Sequence, residues 1–242
     1  MHKAPRAREL ARFLNCELTE NLWRWALIQM TTAGRPQTAL DLAPEMRNRQ
    51  TGVVDLNPPN RRQNKKYRAT VREPKVLRGW LDRWEREVRA QQSDNCLPED
   101  WHYCGYTSIE GVQTAIDRIR VLPQVNLPKL TAYSFRHLVT TVLRRSKRSH
   151  GVTEDDISLQ LGHKRPQART TAGYGEWEPD YLLSAADAID AWLLSLQRKI
   201  SNRPLFSQGY PRFIRPRMIE AKQAIEKDGG RDRDRTCDPY HV

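Results

Sequence analysis

The sequence predicts a mainly α-helical protein with one small antiparallel β-hairpin or sheet, an α+β class. Three observations carry that reading. Segment after segment places apolar side chains at i, i+3, i+4 and i+7, the period of a helix with one buried face. One stretch, near residues 53–71, changes to the period of a strand on both sides of a proline turn. Hydrophobic residues make up 38% of 242, enough to bury a core at this length.

In chain order, "ARELARFL" points Leu10, Phe13 and Leu14 inward, and "NLWRWALIQM" does the same with Leu22, Trp25 and Ala26. Gly34 breaks the second helix, and Pro36 suits the first turn of a third. Val53 to Leu56 predicts a strand, Asn57-Pro58-Pro59-Asn60 a turn, and the alternation Tyr67, Ala69, Val71 a second strand. The hairpin so formed has a basic tip. Pro74 opens a helix whose stripe is Leu77, Trp80, Leu81, Trp84 and Val88. "QQSDNCLPEDWHYCGYTS" reads as a loop with a brief extended piece, "IEGVQTAIDRIRV" as a helix, and "LPQVNLPKLTA" as a loop broken by prolines. In "YSFRHLVTTVLRRS" the stripe is Phe135, Leu138, Val139 and Val142. Thr153, ahead of Glu154-Asp155-Asp156, caps a short helix that stops at Gly162. Leu182, Ala185, Ala186, Ile189, Trp192, Leu193 and Leu196 mark a long final helix. The expected organisation is one domain over residues 1–200 and a basic, disordered tail over 201–242, which ends in the low-complexity "GGRDRDRTCDPYHV".

Charge narrows the function. Lysine and arginine number 41 against 29 acids, a net +12, which favours a polyanionic partner, nucleic acid ahead of membrane. No apolar run is long enough to span a bilayer and no signal-peptide core opens the chain, so a cytoplasmic protein without membrane attachment is expected. The four cysteines are scattered, as free thiols in a reducing compartment would be. Cys96, His102 and Cys104 hint at zinc, but no second ligand pair at finger spacing follows, and no metal or cofactor is expected.

Some polar residues do not fit a core. Arg136 and His137 occupy the first turn of a helix, where negative charge is the usual preference. Either they form a solvated basic face or a guanidinium is aimed at a phosphate. Arg35 lies in the break between Gly34 and Pro36, and His163 follows the helix stop at Gly162. Tyr174 stands between Gly173 and Gly175, poorly placed to pack; an exposed turn tyrosine is the plain alternative.

Taken in order, "TTAGRP", a basic hairpin, "YSFRH", "LGH" and a tyrosine after a threonine-rich turn resemble the catalytic domain of tyrosine recombinases, the phage-type integrases. The resemblance covers residues 5 to 198, and "SFRH…LGH…Y" carries most of its weight. It implies Arg35 and Arg136 as the two catalytic arginines, His163 as the later active-site histidine and Tyr174 as the nucleophile. The family lysine lies on the hairpin, here Lys65, nearer the tip, or its neighbour Lys66. Arg61 and Arg62 would contact the DNA backbone or be simply solvated, and Lys164 and Arg165 would bind DNA. One position departs: three before Arg136, where the family often has histidine, stands Tyr133, whose phenol can donate a hydrogen bond but carries no positive charge near neutral pH. The resemblance also implies duplex DNA as partner, a synaptic homo-tetramer and no cofactor. With "ELARFL" so close to Met1, no N-terminal core-binding domain is expected. A catalytically inactive DNA-binding remnant of an integrase is the alternative, and a relaxing topoisomerase with the same chemistry a third reading.

The implied chemistry suits these side chains. Attack on a phosphodiester builds negative charge on non-bridging oxygens, which two arginines can hold by bidentate, charge-assisted hydrogen bonds. Preorganised cations can then stand where other enzymes place a metal ion. A tyrosine, with a pKa of about 10, needs that positive field to attack as phenolate, and the leaving 5′-hydroxyl needs a proton. Glu154-Asp155-Asp156, the nearest group of acids, is explained by the helix dipole.

Overall fold

The computed structural model describes residues 5–63, 66–163 and 179–207. All of them lie in the first of two units of the chain, 1–210; the second, 211–242, lies outside the described residues, as does the expected tail from 208 onward.

The chain opens with α1 (Ala7–Leu14), α2 (Glu20–Thr32) and the short α3 (Pro36–Leu40). Thr19 caps α2 by accepting the Leu22 amide at 3.3 Å. The sequence suggests one inward stripe on α2, but every residue from Leu22 to Thr32 except Arg24 is buried. A helix buried around nearly its whole circumference belongs at the centre of a core, and here the buried Thr31 and Thr32 hydroxyls are satisfied by carbonyls one turn back. Here Trp25 meets Phe135 edge-on at 5.2 Å, and Phe13 meets the same ring at 5.8 Å.

Three strands follow, β1 (Arg47–Asn48), β2 (Val53–Asp55) and β3 (Thr70–Arg72), antiparallel in the order β1-β2-β3. Val54 pairs with Arg47 on one side and Val71 on the other. The expected hairpin is therefore present with an added edge strand. Alternation does not hold between Tyr67 and Thr70, where four successive residues are buried. Both faces are covered there: Arg68 reaches Asp41 at 2.6 Å, and the Thr70 carbonyl accepts the Tyr181 hydroxyl at 2.9 Å.

Next come α4 (Lys75–Arg89), α5 (Ile109–Arg120), α6 (Ala132–Arg145), the single turn α7 (Lys147–His150), α8 (Glu154–Gln160) and α9 (Leu183–Gln197). In α4 the stripe includes Glu85 in place of the half-buried Val88. Glu85 and Glu73 clasp the guanidinium of the edge-strand Arg47 at 2.7 and 2.6 Å, and the Tyr103 hydroxyl donates to Glu85. A buried ion pair is tolerable when its hydrogen bonds are complete, and here they tie the sheet to α4 and to the loop before α5. Asp190 of α9 takes up the free amides at the start of α4, accepting from Lys75 at 2.8 Å and Val76 at 3.0 Å.

The packed body passes the boundary expected at residue 200. Leu205 is fully buried and its carbonyl accepts the Trp80 indole at 2.6 Å. No helix among the described residues is long and apolar enough to cross a membrane.

Candidate active site

Three chain breaks meet beside β3. The first is the end of α2, where Ala33 turns left-handed (φ 53°) and Arg35 precedes the proline that starts α3. The Arg35 carbonyl is held by the Thr38 hydroxyl at 2.7 Å, the Thr38 amide at 2.8 Å and the Gln29 amide at 3.3 Å. That leaves its guanidinium free to swing toward the sheet, where it donates to the Tyr67 carbonyl.

The second is the N-terminal part of α6. Thr131 and Ser134 form the capping arrangement, and Arg136 projects inward, 9% exposed. Its Nη1 donates to the Ala33 carbonyl at 2.8 Å and its Nη2 to the Leu161 carbonyl at 2.6 Å.

The third is the end of α8. The His163 amide donates to the Ser158 carbonyl at 2.8 Å and the Gly162 amide to Leu159 at 2.9 Å, the paired closure that terminates a helix through a left-handed residue. Gly162 supplies that conformation at φ 64°, and a Cβ on it would meet the Tyr67 carbonyl oxygen at 2.8 Å. So the oxygen that receives Arg35 also occupies the space a side chain would need on the glycine that delivers His163. The imidazole Nε2 lies 3.2 Å from Arg136 Nη2. Since a guanidinium can only donate, that nitrogen accepts and the ring is neutral.

Electrostatics agree with the geometry. Burial, then the nearby Arg35, pushes the Arg136 guanidinium down to about 10, still charged at neutral pH. Burial, Arg136 and Arg35 together hold His163 below the ordinary histidine value. No carboxylate among the described residues pairs with any of the three, whereas the neighbouring Arg68 has Asp41. Positive charge is thus gathered, dried on its inner side and left without a counterion among the described residues. The seam beneath Arg35 and Arg136 does not admit a water-sized sphere. Among the described residues, an anion is what this arrangement lacks.

Of the other residues expected at the site, Arg61 is bonded to Asn57 at 2.6 Å and is lowered by burial, Arg68 and Arg35, which places it within reach of the cluster's field. Arg62 and Lys66 are exposed on the same hairpin. Tyr133 is 55% exposed and lies one turn before Arg136. Lys65, Lys164, Arg165 and Tyr174 lie outside the described residues. Tyr181, the next tyrosine along, is committed: its hydroxyl bonds to Thr70, and burial raises its pKa far above the phenolic value. Among the described residues no group of three His, Cys, Asp or Glu gathers at metal-binding distance; Cys96 is exposed and Cys104 buried.

Family models, curated proteins and solved structures offer no match to this chain.

Two contributors escape sequence reasoning. Gln160 is 1% exposed and donates to the Thr32 carbonyl at 2.7 Å, tying the end of α8 to the end of α2 beside both arginines. Its signal was a polar residue on the apolar stripe of Ile157 and Leu161. Arg68 with Asp41 fixes the returning strand. The carbonyls that hold the arginines carry no side-chain signature at all.

Proposed function

We propose that the chain is a DNA strand-cleaving and rejoining enzyme of the tyrosine recombinase type, with the catalytic-domain fold that goes with it, acting on duplex DNA in a tetrameric synaptic complex. The observation that carries the proposal is the convergence of Arg35, Arg136 and a neutral His163, from three distant segments, with no acid among the described residues to neutralise them.

In this reading the scissile phosphate takes the missing counterion's place. Among the described residues, Arg35 and Arg136 keep N–H donors beyond those spent on carbonyls and on His163, and these bind the non-bridging oxygens as charge develops. The Tyr174 oxygen attacks phosphorus, its proton leaving to solvent or to a basic neighbour. The bond to the 5′-oxygen breaks, and the hairpin lysine, Lys65 or Lys66, protonates that oxygen. His163, with its Nε2 lone pair turned to Arg136, steadies the guanidinium without adding charge at rest. The phosphotyrosyl ester conserves the bond, so a second 5′-hydroxyl reverses the attack and no nucleotide hydrolysis is required.

The test is a duplex with a nick close to the cleavage point, so that the short leaving strand diffuses away. Denaturing electrophoresis in excess EDTA is expected to show a covalent protein–DNA band, because guanidiniums supply the charge. Binding without any such band would identify a non-cutting DNA-binding remnant. A cut that requires magnesium and leaves no adduct would point to a nuclease.

A further inference from the structure

On the far side of α6, the helices α1, α6 and α9 enclose an open groove of about 1400 Å³. Leu138 and Val142 of α6 contribute to its floor. Leu138 is two residues beyond Arg136, roughly 200° around the helix, so the groove and the arginine cluster face opposite ways. Trp192 of α9, half-buried, completes an apolar floor.

The rim differs in kind. Arg8 and Arg12 of α1 and Arg145 of α6 are exposed along it, with Arg6, His150 and Lys199 at its ends. Among the described residues Glu9 is the single carboxylate lining the groove, and it is engaged by the Arg6 amide. No carboxylate among the described residues pairs with Arg8, Arg12 or Arg145.

We propose that this groove docks an acidic amphipathic helix of a partner protein. A helix about 10 Å across fills about 400 Å³ per turn, so the space suits roughly three turns. Apolar residues at i, i+3/i+4 and i+7 would meet Trp192 and Val142, and flanking Asp or Glu would meet the arginines. A half-exposed tryptophan in a depression is the anchor such contacts use. Charge complementarity selects the partner's sign. A duplex backbone, by contrast, gains nothing from a floor of valine, leucine and tryptophan.

The probe is a fluorescein-labelled peptide of about four helical turns, with Leu and Trp on one face and Glu elsewhere, titrated with the 242-residue protein and read by anisotropy. A control peptide replaces each Glu with Lys. The acidic peptide is expected to bind at least about tenfold more tightly than the control, and increasingly so at low salt. Arg8→Glu with Arg12→Glu, both exposed and outside the packed core, is expected to weaken it about tenfold, and Trp192→Ala similarly; circular dichroism checks that both variants fold. Equal affinity for the two peptides overturns the proposal, as does an unchanged affinity in the double arginine variant. Two other occupants are also decided. A dimer in sedimentation that the double variant dissociates assigns the groove to a second copy. Duplex DNA that displaces the peptide, and itself binds the double variant more weakly, assigns it to nucleic acid. Either result overturns the partner helix.

Discussion

Gly162→Ala tests whether the site depends on the close approach between the end of α8 and the hairpin. The alanine must hold φ 64°, a left-handed conformation that costs an L-residue about 1–2 kcal/mol. Its Cβ would also stand 2.8 Å from the Tyr67 carbonyl oxygen, where ordinary contact begins near 3.4 Å. That oxygen is backbone and cannot rotate away. The strand or the helix end must therefore retreat by about 0.6 Å, and total destabilisation should reach about 2–3 kcal/mol. The same retreat moves His163 on one side and the Arg35 contact on the other. Catalytic groups tolerate displacement of about 0.5 Å, and about 1 Å costs on the order of 100-fold. A loss of about tenfold or more in the adduct-forming rate is expected at a temperature where the variant remains folded. Urea melts and single-turnover adduct formation on the nicked duplex measure the two effects separately. A variant destabilised as expected that still forms adduct at the parental rate would refute the coupling between this contact and the catalytic geometry.

Tyr174→Phe should abolish adduct formation while leaving duplex affinity within about twofold, since only the attacking oxygen is removed; adduct from the Phe variant would disqualify the nucleophile. Lys65→Ala should slow cleavage of normal DNA strongly but far less when the leaving group is a 5′-thiol, which departs without a proton; the same pattern at Lys66 instead would reassign the general acid. Asp190 gives a pH prediction. Burial raises its carboxyl to about 6 against the two amides it accepts, so the folded chain binds a proton more tightly than the unfolded one. Relative to Asp190→Asn, stability should therefore rise as pH falls through 6 toward 4, by at most about 3 kcal/mol, in paired urea melts. A difference that is flat across that window, or falls, would mean the two amides outweigh burial.

The elements that could be read in the sequence are those whose own residues contain the signal. α4 and α6 announce themselves through stripes such as Leu77-Leu81-Trp84 and Phe135-Leu138-Val139, and Thr153 with Asp156 marks its helix start. β1 is two residues long and has no alternation to show; its pairing with β2 and the clasp of Arg47 by Glu73 and Glu85 arise only in the folded chain. Tyr67 to Thr70 fails as an alternating strand because Asp41 and Tyr181 cover the face that water would otherwise occupy. At the candidate site, Arg35 and His163 stood out because each sits at a break, and Arg136 because its charge falls beside the apolar stripe near the start of α6. Gln160 was hidden by its apolar neighbours, and the proximity of the three breaks rests on contacts between residues far apart in the chain.

Among the described residues, the two arginines are steadied by the oxygens of Ala33, Leu161 and Tyr67 and by no acid. Every residue type offers the same oxygen, so no point substitution deletes one. Changes of side chain at those three positions can accumulate without loosening the guanidiniums, so long as the chain keeps its path. Vulnerability shifts instead to the residues that set the path: Gly34, Pro36 and Gly162. Among descendants of this sequence, the side chains at Ala33, Leu161 and Tyr67 would answer to their own packing and to the left-handed turn at Ala33 rather than to the arginines, while Gly34, Pro36 and Gly162 would be held constant for the path they set.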